Sequence, residues 1–115
     1  MRAMTDLENL KQASFHDMGV NSLAIDFELR LFTLVLDVYN EDTSDYDNLK
    51  LEFLGINNLN LGPLELATKG FDDLDVYTHT VTQAGEAHAI HFVLLTGTGR
   101  RGVEWSFTFE QVRLS

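Results

Sequence analysis

Residues 103–109, VEWSFTF, carry the pattern that decides the fold class of this 115-residue chain. Apolar and polar side chains alternate without a break, which is the period of a β-strand with one buried face and one face in water. The solvent face is predicted to hold Glu104, Ser106, Thr108 and, just beyond the stretch, Glu110. The buried face is predicted to hold Val103, Trp105, Phe107 and Phe109.

Two segments that precede this strand have the same character. Residues 74–82, LDVYTHTVT, are rich in β-branched side chains, and residues 87–95, AHAIHFVLL, follow soon after Gly85. Short turns between strands that are consecutive in sequence favour antiparallel pairing. The last third of the chain is therefore predicted to be an antiparallel meander of three strands.

Three further strands are predicted in the first half of the chain. Residues 31–39, LFTLVLDVY, are apolar on both sides, which favours a central strand, and residues 49–56, LKLEFLGI, alternate. Residues 23–29, LAIDFEL, also alternate. Their buried side is expected to hold Leu23, Ile25, Phe27 and Leu29.

Between these strands we expect irregular connections. The polar stretch 40–48, NEDTSDYDN, is predicted to be a solvated loop, and the Asn57-Asn58 pair a turn. Pro63 and Gly70 bracket residues 63–69, which favours a short helix there.

A longer helix is expected over residues 5–13, TDLENLKQA. Thr5 and Glu8 form a capping-box pattern, and Met4, Leu7 and Leu10 recur at helical spacing. We therefore predict a single α+β domain over residues 1–115 that is mainly antiparallel β. In it, the N-terminal helix packs on a curved sheet of about six strands.

Composition restricts the possible functions. The chain has 18 Asp and Glu against 8 Lys and Arg, a formal net charge of -10. This charge repels nucleic-acid phosphates and anionic lipids, so neither nucleic acid nor a membrane is expected as a partner. The absence of cysteine excludes disulfides and cysteine-based zinc sites. Because no apolar run could span a membrane and no signal sequence is visible, we expect a cytoplasmic protein.

The stretch SFHDMGV, residues 14–20, places His16 beside Asp17. One interpretation is a hinge between helix and strand, in which the Asp17 side chain accepts a hydrogen bond from the Gly19 N–H and Gly19 supplies a permissive backbone angle. Phe15 and Met18 then enter the core. The alternative is a small-ligand or metal-binding domain, with enzymatic activity left open, that uses His16, Asp17 and the strand histidines, although neighbours on an extended chain point to opposite sides.

The other motifs predict no cofactor, no metal and no enzymatic activity. His88 and His91 have opposite strand parity, and only His79 and His91 could meet, if the register allowed it. Residues 97–102, GTGRRG, match a dinucleotide-binding pattern, but a strand rather than a helix follows them. We expect them to form a hairpin loop with Arg100 and Arg101 at its tip.

The acidic residues are unevenly spread. Residues 37–47 contain five carboxylates and no basic residue, and residues 72–75 add three more. Tyrosines beside carboxylates suit a protein-binding face, so a basic protein is the expected partner. The residues predicted to bind it are Tyr39, Glu41, Asp42, Asp45, Tyr46, Asp47, Asp72, Asp73 and Asp75.

Short motifs in the first half of the chain resemble small bacterial β-rich proteins, among them the immunity protein 50 family of polymorphic toxin systems. The matching positions are Phe15, His16, Asp17, Val20, the strand 34–38, Phe53, Gly55 and Ile56. The resemblance implies a binding protein that neutralises a toxin and that has no catalytic residues. The second half of the chain contributes nothing to it.

Overall fold

The computed structural model of the chain describes residues 5–62, 74–96 and 101–115. The elements follow the chain as α1 (Asp6–Gln12), β1 (Gly19–Asp26), β2 (Leu31–Asn40), β3 (Asp45–Leu54), β4 (Asn57–Leu61), β5 (Asp75–Ala84), β6 (Ala87–Thr96), β7 (Arg101–Phe109) and β8 (Gln111–Leu114). No helix within these described ranges is long and apolar enough to cross a membrane.

The strands form one antiparallel sheet in the order β4-β7-β6-β5-β1-β2-β3-β8. The predicted α+β class, mainly antiparallel, is confirmed, and so are the meander β5-β6-β7 and the interior position of β2. The expected count of about six strands is wrong, because the sheet has eight. The two additional strands are continuations of predicted ones. β4 follows β3 after a kink at residues 55–56, and β8 follows β7 after a kink at residue 110.

The two kinks curve the sheet without closing it. β3 pairs with β8 whereas its continuation β4 pairs with β7, so the kinked segments 45–61 and 101–114 run beside each other. The kinks face one another, since the Glu110 N–H donates to the Leu54 carbonyl at 2.8 Å. Gly55 permits the first kink with a φ of 70°.

The core lies on the concave face of this sheet. All four apolar side chains of VEWSFTF are buried, as predicted, and Trp105 and Phe109 are fully enclosed. They meet aromatic side chains from the other half of the chain. Phe53 contacts both Phe107 and Phe109 edge-on, with ring centroids 5.1 Å apart in each pair. Such contacts join β3 to β7 more tightly than area burial alone.

The helix prediction is confirmed at its N-terminus. Thr5 and Glu8 form the capping box, and Leu10 is fully buried. The helix packs on the edge strand β8, where the Asp6 carboxylate accepts a hydrogen bond from the Leu114 N–H at 3.2 Å. Met4, the first residue of the predicted apolar stripe, lies outside the described residues.

The end of the predicted strand 23–29 is wrong. β1 ends at Asp26, and residues 27–30 form the turn to β2. Phe27 and Leu29, expected in the core, are therefore 80% and 68% exposed. The turn is stabilised by polar contacts, because the Asp26 carboxylate accepts from the Leu29 N–H and Arg30 donates to the Ile56 and Gly55 carbonyls. Because these hydrogen bonds stabilise the turn, the strand ends at Asp26 although the alternating pattern continues to Leu29.

Two other predicted connections are strands. Residues 40–48 form the end of β2, a turn at 41–44 and the start of β3, and Asn57 and Asn58 belong to β4. In both places ladder hydrogen bonds overrode the turn preference of the residues. The helix predicted over 63–69 and the loop residues 97–100 lie outside the described residues, and Arg101 and Gly102 belong to β7.

Candidate functional site

The β2–β3 hairpin projects beyond the rest of the sheet. β1 leaves β2 at the pair Gly19 and Asp37, whereas β2 and β3 remain paired to Asn40 and Asp45. Within residues 5–62, 74–96 and 101–115, no other strand lies beside the last three pairs of this ladder. Every residue from Glu41 to Asn48 is exposed as a result. We call residues 37–48 the acidic hairpin.

A tyrosine pair lies on one face of the acidic hairpin. Tyr39 and Tyr46 are direct cross-strand partners, with ring centroids 5.3 Å apart. They remain 52% and 64% exposed although they contact each other. Aromatic side chains that are exposed and held by a neighbour supply contact area at low entropic cost, which suits them to a binding surface.

Asn40 fixes the turn of the acidic hairpin. Its side-chain oxygen accepts from the Asp42 N–H at 2.9 Å, and its amide donates to the Asp47 carboxylate at 2.9 Å. Ser44 closes the turn with a φ of 56°. These contacts define the conformation of the turn. The sequence predictions did not include Asn40 in this site, although its place between Tyr39 and Glu41 is typical of a turn residue.

Of the predicted partner-binding residues, six lie on the acidic hairpin: Tyr39, Glu41, Asp42, Asp45, Tyr46 and Asp47. Asp75 lies at the base of the same end of the sheet, where it pairs with Gly19, the partner of Asp37. The carboxylates of Asp37 and Asp75 lie within 4.0 and 3.7 Å of the position that a Gly19 Cβ would occupy. Asp72 and Asp73 lie outside the described residues.

The stretch SFHDMGV forms a compact link between α1 and β1. The Met18 N–H donates to the Phe15 carbonyl at 3.0 Å, and the Asp17 N–H to the Val76 carbonyl at 2.9 Å. Phe15 is buried and Met18 packs against the core, as predicted. The predicted Asx-turn is wrong: Asp17 itself has the positive φ, 66°, and the Gly19 N–H makes no hydrogen bond to it among the described contacts.

His16 and Asp17 do meet, but weakly. The His16 Nε2 lies 3.4 Å from the Asp17 carboxylate, and both side chains are more than half exposed. The His16 Nδ1–H donates to the Tyr77 carbonyl at 2.9 Å, because a carbonyl can only accept. An exposed pair of this kind contributes little, so it gives no specific support to a ligand site.

His79 lines a depression of about 320 Å³ together with His16, but the contacts of its ring are structural. Its Nε2–H donates to the Leu10 carbonyl at 2.7 Å, in the last turn of α1. The ring lies between Phe15 and Phe92, with centroids 4.5 and 6.2 Å away. His79 therefore holds the helix against β5.

The remaining histidines do not assemble a metal site. His88 lies on the core side of β6 beside Phe109, and His91 on the outer side beside Glu104. His79 faces the core, so the predicted possibility that it meets His91 is wrong. No group of three or more potential metal ligands occurs in residues 5–62, 74–96 and 101–115.

Comparison of the chain with protein-family models, with curated proteins and with solved structures found no match.

Proposed function

We propose that this chain is a non-enzymatic protein-binding domain and that the acidic hairpin is its binding surface. The observation that supports the proposal best is the exposed Tyr39–Tyr46 pair, set among carboxylates on a hairpin that the other described strands do not cover. The tyrosines offer short-range contact, and the carboxylates attract a partner from a distance. Binding then needs little ordering of the chain.

The partner that fits this surface is a basic protein. Residues 37–47 carry five carboxylates and no basic side chain, so an acidic partner is repelled. The resemblance to immunity proteins favours a toxin, and a toxin that cuts nucleic acid has a basic substrate cleft. Carboxylates spaced along the hairpin then occupy the positions of phosphates and block that cleft.

The proposal predicts a local electrostatic effect on association. A partner is purified from lysate of the source cells, and its association and dissociation rates are measured by surface plasmon resonance across a salt series. The triple variant Asp42→Asn, Asp45→Asn, Asp47→Asn is expected to lower the association rate about tenfold at low salt, because these charges steer the encounter. The difference should shrink as salt screens the charges.

A second triple variant is the matched control. Asp26→Asn, Glu28→Gln and Glu86→Gln remove an equal number of charges at the opposite end of the sheet, from the last residue of β1 and from the β1–β2 and β5–β6 turns. This variant should associate at nearly the wild-type rate. Equal slowing by both triples, or slowing by neither, contradicts a binding surface at the acidic hairpin.

The tyrosines are tested through dissociation. Tyr39→Ala or Tyr46→Ala should leave the salt dependence of association unchanged and raise the dissociation rate, at a cost of about 2 kcal/mol of binding free energy. Circular dichroism of each variant checks that the sheet is intact. An unchanged dissociation rate in both variants excludes the pair from the interface.

A further inference from the structure

A shallow groove runs across the outer face of β5, β6, β7 and β4, opposite the core. Two adjoining depressions of about 350 and 410 Å³ share His91 and Ser106. Thr80, His91 and Ser106 are consecutive cross-strand partners, and Asn60 of β4 pairs with Ser106. We call this concavity the outer groove. Each depression lies within the size range of small-molecule sites.

The groove is shallow but continuous because its floor is built from small side chains. Ala89 and Ser106 lie at its centre, and Gly62 at one end. A Cβ on Gly62 would lie 2.9 Å from the Glu104 carbonyl, so glycine at this position allows the end of β4 to approach β7 closely. Larger side chains at Ala89 and Ser106 would fill the concavity.

Hydroxyl and amide groups line the walls. Thr80 and Thr82 contribute from β5, Thr108 from β7, and Asn60 from β4. Each threonine also presents a methyl group, which adds apolar contact to a hydrogen-bonding surface. Among the described lining residues, His91 and Glu104 form a hydrogen-bonded pair, within a chain of formal net charge -10.

The contact with Glu104 determines which ring nitrogen of His91 donates a hydrogen bond and which can accept one from a ligand. Its Nε2 lies 2.9 Å from a carboxylate oxygen of Glu104. A carboxylate only accepts, so Nε2 carries the proton and donates. In the neutral ring Nδ1 is then an acceptor.

Asn58 is brought to the groove by a β-bulge. The β4 partners of Thr108 and Ser106 are Asn57 and Asn60, which are three positions apart, whereas regular pairing would place them two apart. Asn58 is the additional residue and has a φ of 52°. Hydrogen bonds within the bulge hold it, since the Asn58 N–H donates to the Asn57 side chain at 2.9 Å. Bulges redirect side chains, and this one adds an amide to the groove wall.

We propose that the outer groove binds a neutral polyhydroxylated molecule of monosaccharide to disaccharide size. Its hydroxyls match the threonine, serine and asparagine groups, and its C–H faces match the methyl groups and Ala89. Anions are disfavoured by the net charge of the chain. The strands of its floor are paired with each other in the β5-β6-β7 ladder, so side chains rather than backbone groups supply the polar contacts to the ligand.

The test is a titration of the ¹⁵N-labelled chain, followed in ¹H–¹⁵N correlation spectra. The probes are D-glucose, D-galactose, D-mannose and N-acetyl-D-glucosamine, with D-glucuronate as the anionic counterpart of glucose. Saturable shifts at the amides of His91, Ser106 and Thr108 are expected for at least one neutral sugar, and weaker binding for glucuronate.

Two groove variants and one control complete the test. Asn58→Gly keeps the positive φ but removes the amide, and Thr80→Val removes a hydroxyl at constant shape. Each should weaken binding about 2–10-fold, the range for one hydrogen bond. Thr33→Val makes the same change on β2, away from the groove, and should have no effect. The proposal is overturned if no neutral sugar gives saturable groove shifts, if glucuronate binds as tightly, or if the groove variants bind like wild type.

Discussion

At the scale of single residues, Asp17 explains how the link between α1 and β1 turns. Its φ of 66° belongs to the left-handed region, which disfavours most L-residues but is tolerated by Asp, Asn and Gly. Its side chain is 71% exposed and contacts only His16 among the described ion pairs. The backbone angle, rather than the carboxylate, is therefore the reason for an aspartate here.

Substitutions at Asp17 separate these two roles. Asp17→Asn and Asp17→Gly should retain the stability of the chain, whereas Asp17→Ala should lose about 1 kcal/mol because alanine lacks a favourable left-handed state. Urea unfolding measures the difference. If Asp17→Gly lost as much as Asp17→Ala, the carboxylate would be the stabilising group and the backbone argument would be wrong.

At the scale of elements, the two kinks turn six extended segments into eight strands. The first kink depends on Gly55, and a Cβ there would overlap the Glu110 side chain at the second kink. The kinks are therefore coupled sterically as well as through the Glu110–Leu54 hydrogen bond. This coupling allows one segment to pair with β2 at one end and with β7 at the other.

Gly85 offers a matched comparison for Gly55. Both glycines have positive φ, 63° and 70°, but a Cβ on Gly85 meets nothing within 4 Å. Gly85→Ala should cost about 1 kcal/mol through the backbone angle alone, and Gly55→Ala should cost more because Glu110 must also move. Thermal or urea unfolding measures which of the two substitutions destabilises the chain more. When Glu110→Ala is added to Gly55→Ala, the loss of stability should fall close to that of Gly85→Ala. If the loss does not fall, the steric coupling is ruled out.

At the scale of the whole molecule, negative charge is concentrated in one region, where its repulsion lowers the stability of the fold. Five carboxylates lie within residues 37–47 of a chain whose formal net charge is -10. Exposed like charges repel, and a surface kept for binding commonly lowers stability. The acidic hairpin is accordingly expected to be a region where neutral side chains improve the fold.

The Tm of the two triple variants tests this at low salt. Asp42→Asn, Asp45→Asn, Asp47→Asn should raise the Tm by about 2–4 °C, more than the control triple at the opposite end, because its three charges belong to one hairpin that carries five carboxylates. The advantage should disappear at high salt. A Tm below that of wild type would mean that the Asn40–Asp47 contact stabilises the hairpin more than charge repulsion weakens it.

Alternation by itself determined the β-class, the meander and the buried face of VEWSFTF, because burial on one face of a strand imposes a period of two on the side chains. The capping box was equally readable, since it depends on residues only three positions apart. Phe27, Leu29 and the stretch 40–48 were misjudged because distant partners set where those strands end. Arg30 reaches Ile56, and β2 continues beside β3 after β1 has left it.

Sequence also marked the acidic and tyrosine residues of the hairpin, whose local composition is unusual. Only the tertiary structure showed that Tyr39 faces Tyr46 and that Asn58 reaches the outer groove. It also showed that His79 donates a hydrogen bond to α1, whereas His91 lies on the opposite side of the sheet. Pairing register and bulges fix these relations, and they depend on contacts between strands far apart in the chain, which local periodicity does not encode.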